Sequence, residues 1–136
     1  MFKKRSWILL TGLLLALPHV EAVHAADGID LAVMKVRSVH RVHPGDAKKV
    51  HIQIKNLIGL GGSGTITVTA TNDSGTAAIF SGPFTLTSDS KTTEIQVDYA
   101  FRITDIPQVS FKACISIDGD INPSNNCNSD VSLVAP

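Results

Sequence analysis

Residues 118–130 read DGDINPSNNCNSD and hold the densest group of side chains able to do chemistry. Asp118, Asp120 and Asn122 alternate, as oxygen ligands do at the start of a calcium loop. A helix-flanked loop of that kind needs Gly at its sixth position and Glu at its twelfth; here those positions are Pro123 and Ser129. No helical pattern flanks the stretch. Asp, Asn, Gly, Pro and Ser are also the residues that turn a chain, by capping local amides or pre-setting backbone angles. The expectation is therefore a hairpin turn. Asp118, Asp120 and Asn122, supplemented by backbone carbonyls, remain the candidate calcium or other metal ligands.

The other chemistry-bearing groups are three histidines and two cysteines. His40, His43 and His51 sit in VHRVHPGDAKKVH, and a histidine trio can bind zinc. In an extended chain His40 and His43 have opposite parity and point to opposite faces. They read as surface residues on a strand and its turn. Cys114 and Cys127 are not a C-x-x-C redox pair. A hairpin turning near Asp120–Ile121 places residue 114 opposite residue 127, within reach of a disulfide. Neither cysteine has the context of a nucleophile, and no nucleophile elbow is present. GLGGSG at 59–64 lacks the lysine and following helix of a phosphate loop. No catalytic set emerges, and the chain is expected not to be an enzyme.

The elements that must position these groups follow from the rest of the chain. Lys3, Lys4 and Arg5 precede an apolar run from Trp7 to Leu17, then Pro18 and the small-residue site Val23-His24-Ala25. This is the pattern of a secretory leader, and the run is shorter than the roughly 20 apolar residues that cross a bilayer. Cleavage after Ala25 leaves 111 of the 136 residues, 26–136, as one domain with no membrane span. The short n-region and Ala-rich processing site point to bacterial export, periplasmic or secreted. In that compartment the cysteines are expected to be oxidised.

Residues 26–136 carry nine Lys and Arg against eleven Asp and Glu, which disfavours a nucleic-acid binder. Bases dominate residues 26–60, six to three, and acids dominate residues 61–136, eight to three. The only Trp leaves with the leader, and with it a frequent interface anchor.

Period-two alternation recurs along the chain and marks strands with one dry and one wet face. Val50, Ile52 and Ile54 form one dry row; Ile66, Val68 and Ala70 form another. Ile95, Val97, Tyr99 and Phe101 follow, then Val109, Phe111, Ala113, Ile115 and Ile117. Shorter runs are expected at 77–80, 84–87 and 130–134. Turn signals lie at 43–46, 59–64, 72–75, 81–83 and 88–91. The first strand changes phase between Val33 and Met34, as a bulge or a switch between sheets would require. Thr65, Thr67, Thr69 and Thr71 form one polar stripe, ordinary for an exposed strand face. Seven to eight short antiparallel strands in about 110 residues predict an all-β, immunoglobulin-like β-sandwich, with a small closed barrel as the alternative.

Three stretches carry a family likeness: DLAVMKV at the start, PGDAKKVHIQIKNLIGLGGSGTITVTA in the middle, and FKACISIDGDINPSNNCNSDVSLV at the end. Together they resemble the CARDB-type (cell-adhesion-related domain found in bacteria) immunoglobulin-like domains, with Asn125-Asn126 as the shared residues before the final strand. Ser124 stands where the family usually has an acidic residue, and the cysteines are not a general family feature. The resemblance implies a non-catalytic spacer or binding module that contacts a protein or cell-surface partner. A small metal or ligand carrier using the 118–126 turn is the alternative.

Overall fold

A computed structural model describes residues 28–88 and 91–136. The leader assigned to residues 1–25 lies outside the described residues, as do Asp89 and Ser90 of the 88–91 turn.

Among the described residues eight strands run in the order β1 Leu31–Arg37, β2 Arg41–Val42, β3 Ala47–Asn56, β4 Gly62–Asn72, β5 Gly75–Leu86, β6 Thr92–Ala100, β7 Gln108–Ser116 and β8 Cys127–Val134. They form two sheets, not a closed barrel. One sheet has the order β1-β3-β6 and the other β2-β8-β7-β4-β5. Neighbouring strands pair antiparallel, except that the two-residue β2 pairs with β8 in parallel. Among the described residues the helical content is two single turns of 3-10 helix, Ile103–Asp105 and Pro123–Asn125.

The alternating apolar rows meet between the sheets. Val50, Ile52 and Ile54 are buried against Ile66 and Val68 of the opposite sheet, with Val109, Phe111, Ala113 and Ile115 beside them. Burial of such side chains is worth about 1.5–3 kcal/mol each and is the main force closing the sandwich. Tyr99 bridges the layers at one end. Its ring stands edge-on to Phe101 and to Phe111, with centroids 5.0 Å away in both cases.

The phase change in the first strand is a bulge. Val33 pairs with Ile54 and Lys35 with Gln53, so Met34 is the extra residue. It faces solvent at 46 % exposure, while Val36 returns to the core. The chain also changes sheet: β1 belongs to the three-stranded sheet and β2 to the five-stranded one. A crossing segment loses its ladder partners, and buried backbone polar groups need replacements. Strand β8 supplies them. Ser132 Oγ donates to the Val39 carbonyl at 2.6 Å, while the exposed Asn128 Nδ2 donates to the carbonyls of Val33 and Met34 at the β1 bulge, at 3.3 and 3.1 Å.

One expectation is corrected. The runs at 77–80 and 84–87 are a single strand, β5, with no turn at 81–83. Pro83 removes a donor, which would break an interior ladder, but β5 is the last strand of its sheet. The break appears instead as a bulge: Val68 pairs with Phe80 and Thr69 with Ala78, leaving Ile79 unpaired.

Candidate functional site

The hairpin between β7 and β8 is built as its turn residues dictate. Gly119 takes a positive φ of 80°, a conformation glycine adopts without a side-chain clash. Asp120 Oδ1 accepts from the Asn122 N–H at 2.8 Å, and Ser124 Oγ donates to Asn122 Oδ1 at 2.6 Å. Cys114 and Cys127 are direct partners across the strands, with Cα atoms 4.2 Å apart, and are joined by a disulfide. The opening strand is tied to the hairpin as well. Ile121 N–H donates to the Ile29 carbonyl at 2.9 Å, and Asn125 Nδ2 donates to Asp30 Oδ1 at 2.8 Å.

The three candidate metal ligands lie on the hairpin turn, where Asp120 Oδ1 is occupied by the Asn122 amide. Asp118 is exposed, and the Asn122 side-chain oxygen is taken by Ser124. Three other side-chain oxygens of the stretch are each buried without a donor: Asp120 Oδ2, Asn125 Oδ1 and Asn126 Oδ1. Among the described residues no three His, Cys, Asp or Glu side chains converge as a metal centre would need. The histidines follow suit: His51 Nδ1 lies 2.8 Å from Glu94 Oε1, while His40 and His43 are exposed on the crossing segment and the following turn.

The three-stranded sheet gathers the bases of the early chain. Lys35, Arg37, Lys49 and Lys55 are exposed on β1 and β3, and Lys49 pairs with Asp98 at 2.8 Å. Hydrogen bonds from His51, then Gln96, hold the Glu94 carboxyl below its usual range. On the other sheet the threonine stripe acquires hydroxyl neighbours. Thr71 lies 2.8 Å from Thr76 and Ser63 lies 3.0 Å from Thr85, both on β5.

A second site was not visible in the sequence. At the open end of the sandwich a cleft of about 320 Å³ separates the β4–β5 hairpin tip from the end of β6. Ala70, Ala77, Ile79 and Tyr99 line it, with Arg102 and Asp105 beside them. Asp105 is 1 % exposed and accepts from three donors. Asn72 Nδ2 reaches Oδ1 at 2.7 Å, the Arg102 N–H reaches Oδ2 at 2.8 Å, and the Tyr99 hydroxyl lies 3.1 Å from both oxygens. Burial, reinforced by the Asp105 hydrogen bond and charge, pushes the Tyr99 phenol up to about 12. The sequence signal was an Asp three residues after Arg102, able to close a turn on the Arg102 amide. Its partner Asn72 is 33 positions away, on another strand.

No protein-family model matches the chain. No curated protein matches it either. Solved structures do. The CARDB domain of PF1109 from Pyrococcus furiosus, crystallised in complex with di-metal ions, superposes with a TM-score of 0.67. Identity is 16 %, over 80 % of this chain and 90 % of that one. The solution structure of the same domain gives 0.64 at 16 % identity, over 79 % and 96 % of the two chains. A Paenibacillus cycloisomaltooligosaccharide glucanotransferase gives 0.54 at 16 % identity, over 79 % of this chain but 14 % of its own. With the opening strand, the glycine-rich β3–β4 connection and the Asn125-Asn126 hairpin in place, the chain has a CARDB-type, immunoglobulin-like β-sandwich fold.

Proposed function

We propose that this chain is an exported, non-catalytic β-sandwich module that contacts a protein or cell-surface partner in the periplasm or outside the cell. The observation that carries the reading is the edge of β5. This strand of 12 residues ends its sheet and pairs only with β4 among the described residues. It contains no charged residue. An open, uncharged edge is a template for pairing with another chain. The leader pattern and the disulfide support export.

Photo-crosslinking in the producing cell tests the reading. A photoreactive residue at Thr76 or Thr85 should give an adduct of discrete mass in the envelope or medium, while one at Lys49 should not. Adducts equally abundant from all three positions, or none from β5, overturn it. Mature protein from the same fraction should begin at Ala26.

The three buried oxygens without donors favour a second reading, a calcium or other metal carrier using the 118–126 turn. Asp120, Asn125 and Asn126 offer hard oxygen ligands of the kind calcium takes. The CARDB domain of PF1109 was solved with two metal ions. Melting in excess calcium and then in chelator tests it. A midpoint rise of several degrees that Asp120→Asn abolishes supports metal binding by the native state; superimposed melts overturn it.

A further inference from the structure

Sheet edges are normally protected by charges, prolines or bulges. In β5 these devices begin at the fifth residue: the bulge falls at Ile79, and Pro83 follows. The first four residues, Gly75 to Ala78, have none of them and pair in regular register with Asn72 to Thr69. The unprotected stretch coincides with the cleft at the end of the sandwich, which Gly75 and Ala77 help to line. Strand addition and side-chain insertion are therefore available at one place.

The cleft has an apolar wall and a single cation. Ala70, Ala77, Ile79 and the Tyr99 ring offer a surface for one or two side chains, and Arg102 lies at the margin. The main chain of Arg102 is fixed. Its N–H donates to Asp105 Oδ2 at 2.8 Å, and its carbonyl accepts from the Asp105 N–H at 3.0 Å. The Asp105 carboxylate is itself held by Asn72 and Tyr99. No ion pair occupies the guanidinium among the described residues. A planar fork of donors beside an apolar slot suits a carboxylate.

Direction decides which carboxylate. A strand added antiparallel to β5 runs toward Gly75, so its last residue arrives at the cleft. Beyond Gly75 the chain turns back into β4 at Asp73–Ser74, and there is no further edge to pair with. We propose that the edge of β5 at Gly75–Ala78 takes the C-terminal end of an extended peptide, paired antiparallel, with its last side chain in the cleft and its terminal carboxylate on Arg102. The inference rests on the partner-binding reading above and names the chemistry of the partner.

The test uses N-terminally labelled hexapeptides that alternate Thr and Val, one set ending in a free carboxylate and the other in an amide. Binding is read by fluorescence anisotropy, and pairing by amide hydrogen exchange along β5. The free acids should bind at least about tenfold more tightly than the amides, as expected for a charge-assisted pair. Exchange at Gly75–Ala78 should slow in their presence. Arg102→Gln should erase the preference, and Arg102→Lys should restore part of it. Acid and amide binding equally well, with slowed exchange on β5, overturns carboxylate capture and leaves strand addition standing. No binding by either set also overturns the inference, and the crosslinking experiment then decides the broader reading by itself.

Discussion

Asp130 on β8 accepts two hydrogen bonds from Ser38 through one carboxylate oxygen, at 2.7 Å from the backbone N–H and 3.0 Å from the hydroxyl. Ser38 lies where the chain leaves one sheet for the other, 92 positions earlier in sequence. The pair closes the sandwich where no strand ladder can.

Removing this acceptor should cost stability. Burial pushes the Asp130 carboxyl upward, but the hydrogen bonds from Ser38 and Val131 and the charge of His40 outweigh it and hold the group below 3.8. A lowered folded-state value means that its contribution is present above the unfolded value and is lost as pH falls through the folded one. Asp130→Ala should lower the unfolding free energy by about 1 kcal/mol at pH 7, because solvent screens the bonds of a partly exposed carboxylate. The gap to wild type should narrow below pH 3.8 in urea titrations. A gap unchanged between pH 7 and pH 2 would remove the electrostatic explanation.

Tyr99 should behave in the opposite sense at alkaline pH. Its folded-state value is raised, so its contribution is complete below the unfolded value near 10 and is lost as pH rises toward about 12. Ultraviolet titration of the folded protein, which has one Tyr, should show phenolate appearing well above pH 10. Tyr99→Phe should flatten the stability profile across that window.

Asp105 is the anchor of the end cleft. Asp105→Ala strands the Asn72 amide, the Tyr99 hydroxyl and the Arg102 N–H, and each buried group left unpaired costs about 1–3 kcal/mol. A loss of about 3 kcal/mol or more is expected by chemical denaturation. Asp105→Asn keeps one acceptor oxygen and should lose less. Equal losses for the two variants would mean that packing, not acceptance, is the role of the side chain.

The disulfide closes a short loop across one hairpin, its cysteines 13 positions apart in sequence. Cys114→Ala with Cys127→Ala should lower stability by about 3 kcal/mol, the loop-closure value for that length. The fold should persist, because both strands have other partners: β7 pairs with β4, and β8 with β2. Loss of all cooperative unfolding in the double variant would show that the bridge is needed to form the sheet.

The alternating rows of β3, β4, β6 and β7 were legible residue by residue, because a period of two dictates which side chains must leave water whatever lies opposite. The Cys114–Cys127 register was legible for a related reason: a hairpin with a known turn centre has only one pairing. β8 was legible only from Asp130 onward, since Cys127, Asn128 and Ser129 are exposed and Asp130 and Ser132 turn polar groups inward toward the crossing segment. That arrangement makes sense only once β1 and β2 are known to lie in different sheets. Strand β5 was divided in two, because a proline is permitted at an edge and the sequence does not say which strand is the edge. The Asp105 cluster joins residues from β4, β6 and the turn before β7. Local pattern determined the strands, their dry faces and the hairpin. The packing of two sheets alone decided which edge stays open, which carboxylates are buried and which cation stands beside the cleft, because those properties depend on groups far apart in sequence.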